Sequence, residues 1–296
     1  MSIGKTIRFA GKLCLCVLLF FALGAAAAPN GMVMLLTDYG TDSIYVGVLK
    51  GAIYTKFPAA KVDSVSHSIP PFDIVAGAYM LLESSKEFPK GTVFCCIVDP
   101  GVGTPRKGVV LETGAGQYFV APDNGLLSLV AERDGVKQLH ETANKELWRN
   151  GVTSSTFHGR DIFGPVAAAV ASGTPLEKIG PEMKELVKLD IARSRVENGV
   201  AHGTVIRADT YGNLVTNITS NDLETLGIKR GDTLLVSVGE KNFTAPFVST
   251  YGDVPKGEKL VCLQSSGMME CAINLGSMAE ALGAGLHAPV TVQRQP

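Results

Sequence analysis

Three apolar runs of strand length, each ending on a polar residue, constrain this chain more than any other feature. "MVMLLTD" (32–38), "AKVDSVSH" (60–67) and "GTVFCCIVD" (91–99) stop at Asp38, His67 and Asp99. Between them lie "YVGVLKGAIYTKF" (45–57), closed by Pro58, and "DIVAGAYMLLESSKEF" (73–88), both of helix length. "KGVVLETG" and "QYFVAPDNG" read as further strands, and residues 124–135 and 161–173 as further helices. Strands alternating with helices predict an α/β fold, a mainly parallel sheet covered by helices on both faces. Open sheets of that kind bind ligands at the carboxyl edge of their strands. Asp38, His67 and Asp99 would all stand at that edge. Carboxylates gathered there raise one another's pKa unless something uses the charge. In "VDPGVGTPR" the acid is followed by a glycine turn and, seven positions on, by Arg106. An exposed ion pair there would contribute little to stability, whereas a site at the sheet edge would use both charges.

From about Gly199 the rhythm changes to short strand-like pieces between turn residues, which predicts a small all-β, barrel-like domain. The expected organisation is an α/β domain over 31–190, a linker over 191–199 and a β domain over 200–296. The length of 296 residues suffices for two modest cores. A hydrophobic content of 46%, a charged content of 19% and a net charge of −1 describe a folded chain without a basic stripe, so nucleic acid is not an expected partner. Ahead of these domains, Lys5, Arg8 and Lys12 precede the apolar run 13–24 and then "AAAAP". That order is a signal peptide over 1–28, which implies export to the periplasm or beyond and no stable membrane anchor after cleavage; an uncleaved anchor is the alternative. Cys95 and Cys96 are neighbours in a strand pattern and would face opposite ways. With Cys262 and Cys271 they read as small buried hydrophobes, one bridge among them remaining open, and no CxxC or zinc spacing is present.

"TFHGRDIFGP" puts His158 just before a helix whose start reads as capped by Asp161. A lone histidine is more often structural, but beside Asp99 and Arg106 it becomes an acid/base or water-holding group. A two-metal hydrolase lacks its spacing here, since neither HExxH nor an EF-hand pattern occurs. "GVGTPR" also falls short of the dinucleotide fingerprint. Residue types alone therefore end at an exported α/β protein with a polar site at the sheet edge.

Seven stretches in order carry the reading further: "LTDYGTDSIYVGVLKG", "SHSIPPFD", "VDPGVGTPR", "VAPDNGLL", "TFHGRDIF", "ADTYGNLVTNI" and "SSGMMECAINLG". Together they resemble the S-adenosylmethionine hydroxide adenosyltransferases, hydrolases related to the fluorinase and chlorinase enzymes, from about Met32 to the C-terminus. The resemblance implies an α/β domain followed by a β-barrel, and hydrolysis of S-adenosylmethionine to adenosine and methionine by water attacking C5′, with no metal or redox cofactor. It implies Asp99, Arg106 and His158 as the catalytic set and Asp38 on the ribose hydroxyls, with Asp42 and Phe72 nearby. Asp209 and Ser265 would hold the methionine end, Tyr211 and Tyr251 sandwich the adenine, and Asn213, Asn274 and Leu275 meet its edge. The resemblance further implies a homotrimer with sites between subunits. Halogenating relatives carry Tyr-Ser where this chain has His158-Gly159. Two alternatives stay open at this point: an exported adenosine-type binding protein without turnover, and a halogenase acting on S-adenosylmethionine.

Overall fold

The computed structural model describes residues 28–151 and 153–295, so the basic and apolar parts of the expected signal peptide lie outside the described residues. The first sheet contains β1 (Met32–Thr37), β2 (Lys61–Ser66), β3 (Val93–Ile97), β4 (Gly108–Thr113), β5 (Tyr118–Pro122) and β6 (Val136–Glu141). Their order is β2-β1-β3-β5-β4-β6. The pairs β1/β2, β1/β3 and β3/β5 are parallel, while β4 runs antiparallel to both β5 and β6. The sheet is therefore mixed rather than uniformly parallel. The short turn after β4 returns the chain as β5, which inserts between β3 and β4.

Helices α1 (Ile44–Lys56) and α4 (Gly164–Ala171) cover one face, and α2 (Ile74–Ser85) and α3 (Ser128–Asp134) the other. Ser43 caps α1 by accepting from the Tyr45 N–H, and Asp73 caps α2 by accepting from the Ala76 N–H at 2.8 Å, which satisfies backbone donors that a helix start leaves unpaired. Strand alternation puts Cys95 among Val33, Leu35, Leu49 and Val166, and Cys96 among Met34, Leu36, Phe94 and Phe119, on opposite faces. Cys95, Cys96, Cys262 and Cys271 are all buried free thiols. Helix α3 begins later than its sequence pattern because Gly125, at φ +95°, turns the chain first.

Two further differences bear on the site. Strand β6 has no counterpart in the sequence reading; its alternation is weak, with exposed Val136 and Lys137 leading to buried Leu139 and His140. Asp161 is not a helix cap. It lies inside a π turn (Gly159–Phe163) that precedes α4, and there its buried carboxylate accepts from the Ser154 N–H and from Arg160.

The second sheet contains β7 (Arg195–Glu197), β8 (Val200–Ala208), β9 (Leu214–Thr219), β10 (Thr233–Val238), β11 (Lys241–Pro246), β12 (Lys259–Leu263), β13 (Met268–Ile273) and β14 (Pro289–Arg294), with short helices α5 (Ser220–Thr225) and α6 (Met278–Leu282). Its order is β11-β10-β14-β8-β9-β13-β12, with β7 beside β8, and every strand pairing is antiparallel. A bridge between Phe247 and Val261 brings the two ends of that order together and nearly closes a barrel around Leu214, Leu234, Val236 and Met269. Tyr79 and Ala78 of α2 pack on Ile206 and Val215, and Arg207 pairs with Glu83 at 2.9 Å, joining barrel to α/β layer. Among the described residues no helix is long and apolar enough to cross a membrane.

Candidate active site

Asp99 stands two residues past β3 and Arg106 two before β4, so the chain between them arches over the end of β5. Turn bonds from Val102 N–H to the Asp99 carbonyl and from Thr104 N–H to the Gly101 carbonyl shape the arch. Gly103 has φ +78°, and a Cβ there would run into the Ser155 carbonyl of the neighbouring loop. Only glycine satisfies both conditions. The arch folds Arg106 back on Asp99: Nε donates to Oδ1 at 2.8 Å and Nη2 donates to Oδ2. Both side chains are nearly buried, at 11% and 6% exposure. This two-point geometry is the strong form of a charge-assisted bond. The guanidinium also lies 5.0 Å from the centre of the buried Phe163 ring.

Arg106 Nη2 has a second contact, with His158 Nδ1 at 2.8 Å. A guanidinium can only donate, so Nδ1 accepts and the neutral ring carries its proton on Nε2. Burial, and then the Arg106 cation, hold His158 below its ordinary value. Asp38, at the end of β1, accepts the Phe72 N–H at 2.9 Å. That bond anchors Phe72 in the left-handed region at φ +68° with its ring exposed. Burial raises the Asp38 carboxyl, the Phe72 N–H opposing part of the rise.

Asp38, Phe72, Asp99 and His158 line one cavity of 430 Å³, together with Tyr39, Tyr45, Phe157 and Gly159. The three aromatics Tyr39, Tyr45 and Phe157 meet edge to face, with centroids 5.2 to 6.0 Å apart. Sequence reasoning missed this cluster. Its available signal was Tyr39 beside Asp38 and Phe157 beside His158. Asp42 sits exposed in the turn before α1, outside the cavity lining. His67 is also absent from that lining: it is buried at the end of β2, bonded through Nδ1 to Thr37 Oγ1 and through Nε2 to Ser64 Oγ, both at 2.8 Å. It ties two strand ends together.

A second cavity of 560 Å³ lies in the barrel, lined by Asp209, Tyr211, Asn213, Tyr251, Asn274 and Leu275. Asp209 accepts from the backbone of Tyr211 and Asn213 and from the Asn213 side-chain amide, each at 2.9 Å, so one carboxylate sets the whole "DTYGN" turn. Tyr251 donates to the buried Glu270 at 2.7 Å. Ser265 lies in the exposed turn between β12 and β13 and is not brought to this cavity. The two cavities share no lining residue.

These features define a two-part ligand-binding protein: an α/β layer with a part-buried carboxylate–guanidinium–imidazole chain, and a barrel with a separate aromatic and amide pocket. The model of the SAM hydroxide adenosyltransferase N-terminal domain matches residues 33–180, and that of the C-terminal domain matches 203–291; the chain belongs to this family. A protein of Salinispora tropica named (R)-S-adenosyl-L-methionine hydrolase is 37% identical over 86% of this chain and 95% of its own. A protein of Actinoplanes sp. named fluorinase is 30% identical over 90% of this chain and 99% of its own. A crystal structure of an uncharacterized conserved protein from Thermotoga maritima superposes with a TM-score of 0.86 at 41% identity, covering 89% of this chain and all of that one.

The neutral imidazole gives a direct test. Followed by NMR, the His158 ring titrates below 6.5, and in Arg106→Ala its midpoint moves upward because one of the two causes lowering it is gone. An unchanged midpoint would contradict the contact.

Proposed function

We propose that this chain hydrolyses S-adenosyl-L-methionine to adenosine and L-methionine. The observation that carries the proposal is the part-buried Asp99–Arg106–His158 chain at the edge of a cavity, in a chain whose relatives at similar length are named for that reaction. Water attacks C5′ in line with the sulfonium. The C5′–O bond forms as the C5′–S bond breaks, and the electron pair leaves on sulfur as neutral methionine. His158 donates from Nε2 to the attacking oxygen, and Arg106 supplies positive charge as hydroxide character develops. The attacking water gives up a proton as the C5′–O bond forms, and a carboxylate already bonded to Arg106 keeps a lone pair free to take it. Asp99 has that role and also fixes Arg106. Asp38, raised by burial but beside a cation once substrate binds, would grip the ribose.

The residues that the resemblance assigns to such a substrate are divided between the two cavities. The exposed Phe72, Tyr211 and Leu275, at 69%, 77% and 80%, belong to the two linings, and Ile44, Tyr45 and Val48 of α1 are exposed as well. Exposed apolar groups of this kind mark an interaction surface. They support a closed homotrimer in which one subunit's α/β cavity meets its neighbour's barrel cavity. The order of charged, apolar and small residues at the N-terminus supports export, with the periplasm or the exterior as the site of action.

Purified mature protein given S-adenosylmethionine in isotopically labelled water should yield labelled adenosine, also with chloride or fluoride in excess; 5′-halo-adenosine as the main product overturns the hydrolase reading. Asp99→Ala, Arg106→Ala and His158→Ala should each lower kcat by about a hundredfold or more with KM little changed, as for contacts made mainly in the transition state. Light scattering should report three subunits, and a fully active monomer would refute the shared site. N-terminal sequencing from the native host should start near Ala28, whereas a full-length cytoplasmic chain would remove export.

A further inference from the structure

We propose that Tyr39 determines nucleophile specificity in this cavity: its hydroxyl fills the space where a side chain at position 159 would begin, and it gives the attacking water a contact besides Arg106 and His158. The proposal rests on the hydrolase reading above. Gly159 is the first residue of the π turn and follows His158 directly. Its φ is not in the left-handed region, so its backbone would accept any residue. Space is what excludes a side chain. A Cβ built on Gly159 would fall on the Tyr39 hydroxyl oxygen, with Ile97 Cδ1 at 3.1 Å and Phe157 Cε2 at 3.4 Å on other sides. The glycine is therefore required by Tyr39 and not by the turn.

Tyr39 is poorly able to give way. Its N–H donates to Thr37 Oγ1 at 3.2 Å, and its ring has edge contacts with Tyr45 at 6.0 Å and Phe157 at 5.9 Å. Among the described residues its hydroxyl has no hydrogen-bond partner, although it lines the same cavity as Asp99 and His158. Burial, with Asp38 and Asp99 nearby, raises the phenol well above its usual range, so it keeps its proton. A phenol can donate and accept at once, which suits a water molecule that must be held while it loses a proton. A halide offers no proton and is held only by donors. Barring a side chain at 159 denies it a second hydroxyl next to His158.

A double-mutant cycle tests both halves. In thermal melts without substrate, Gly159→Ala should lower the midpoint in the native background and lower it far less in Tyr39→Phe. Equal losses in the two backgrounds would overturn the packing argument, whatever the enzyme's activity. In kinetics, Tyr39→Phe should lower kcat about tenfold with KM unchanged, the size of one hydrogen bond made in the transition state. An unchanged kcat would overturn the water contact while leaving the hydrolase reading intact. Finally, chloride should slow adenosine formation at about tenfold lower concentration in Tyr39→Phe/Gly159→Ser than in the native protein, for the same single hydrogen bond. Equal sensitivity overturns the specificity claim. A native protein that releases no adenosine would instead remove the reading on which it rests.

Discussion

The two-point bond between Arg106 and Asp99 organises everything around it. Removing two charges from water is expensive, and it is offset here only because both Asp99 oxygens accept from one rigid fork and the guanidinium face rests on the Phe163 ring. Losing either partner would leave the other charge buried and unpaired, which typically costs about 3–5 kcal/mol. The same fork leaves Arg106 Nη2 facing His158, which determines the imidazole tautomer. A stability requirement and the proposed catalytic one are thus met by a single set of atoms. The glycine at 103 is what lets the arch bring the fork home.

How much of this could be read beforehand varies by residue. Asp38, Asp99 and the helix between β1 and β2 follow from local patterning, since apolar period and capping are short-range signals. The partnership of Asp99 with His158, 59 positions apart by residue number, has no local signal; it became visible only through resemblance across several motifs. Strand β6 escaped because its burial comes from pairing with β4, a long-range contact. Asp161 was read as a cap because an acid before an apolar run usually is one. In the structure the π turn takes it one layer inward, to Arg160 and the Ser154 N–H. Tyr39 was hidden by its neighbour: an aromatic beside a motif acid reads as packing until the empty side of Gly159 is seen.

The electrostatics of the α/β cavity also fit a cationic substrate better than an anionic one. Asp38 and Asp99 line the same space, and the Asp99 charge adds to the burial that raises the Asp38 carboxyl. A sulfonium entering between them relieves that tension, and its loss as neutral methionine restores it. The field therefore favours the charged reactant and weakens its hold as the reaction proceeds, which helps product to leave. In the barrel, by contrast, the Asp209 carboxylate is already satisfied by the Tyr211 and Asn213 donors. It contributes shape there more than charge.

The strand order adds a consequence for how the chain reaches this state. Asp99 and Arg106 are close in sequence, yet their strands β3 and β4 are not neighbours, because β5 lies between them. The fork spans roughly two strand spacings, about 10 Å across the sheet edge. It therefore behaves as a clasp over a finished joint: until β5 has slotted into place, the feet of the arch have no fixed separation and the charges no reason to leave water. Strands β1 to β3 alone would bring Asp38 and Phe72 together without the ion pair, and without Phe157, His158 and Gly159, which follow β6. The pair thus closes only where β3, β5 and β4 are all in place.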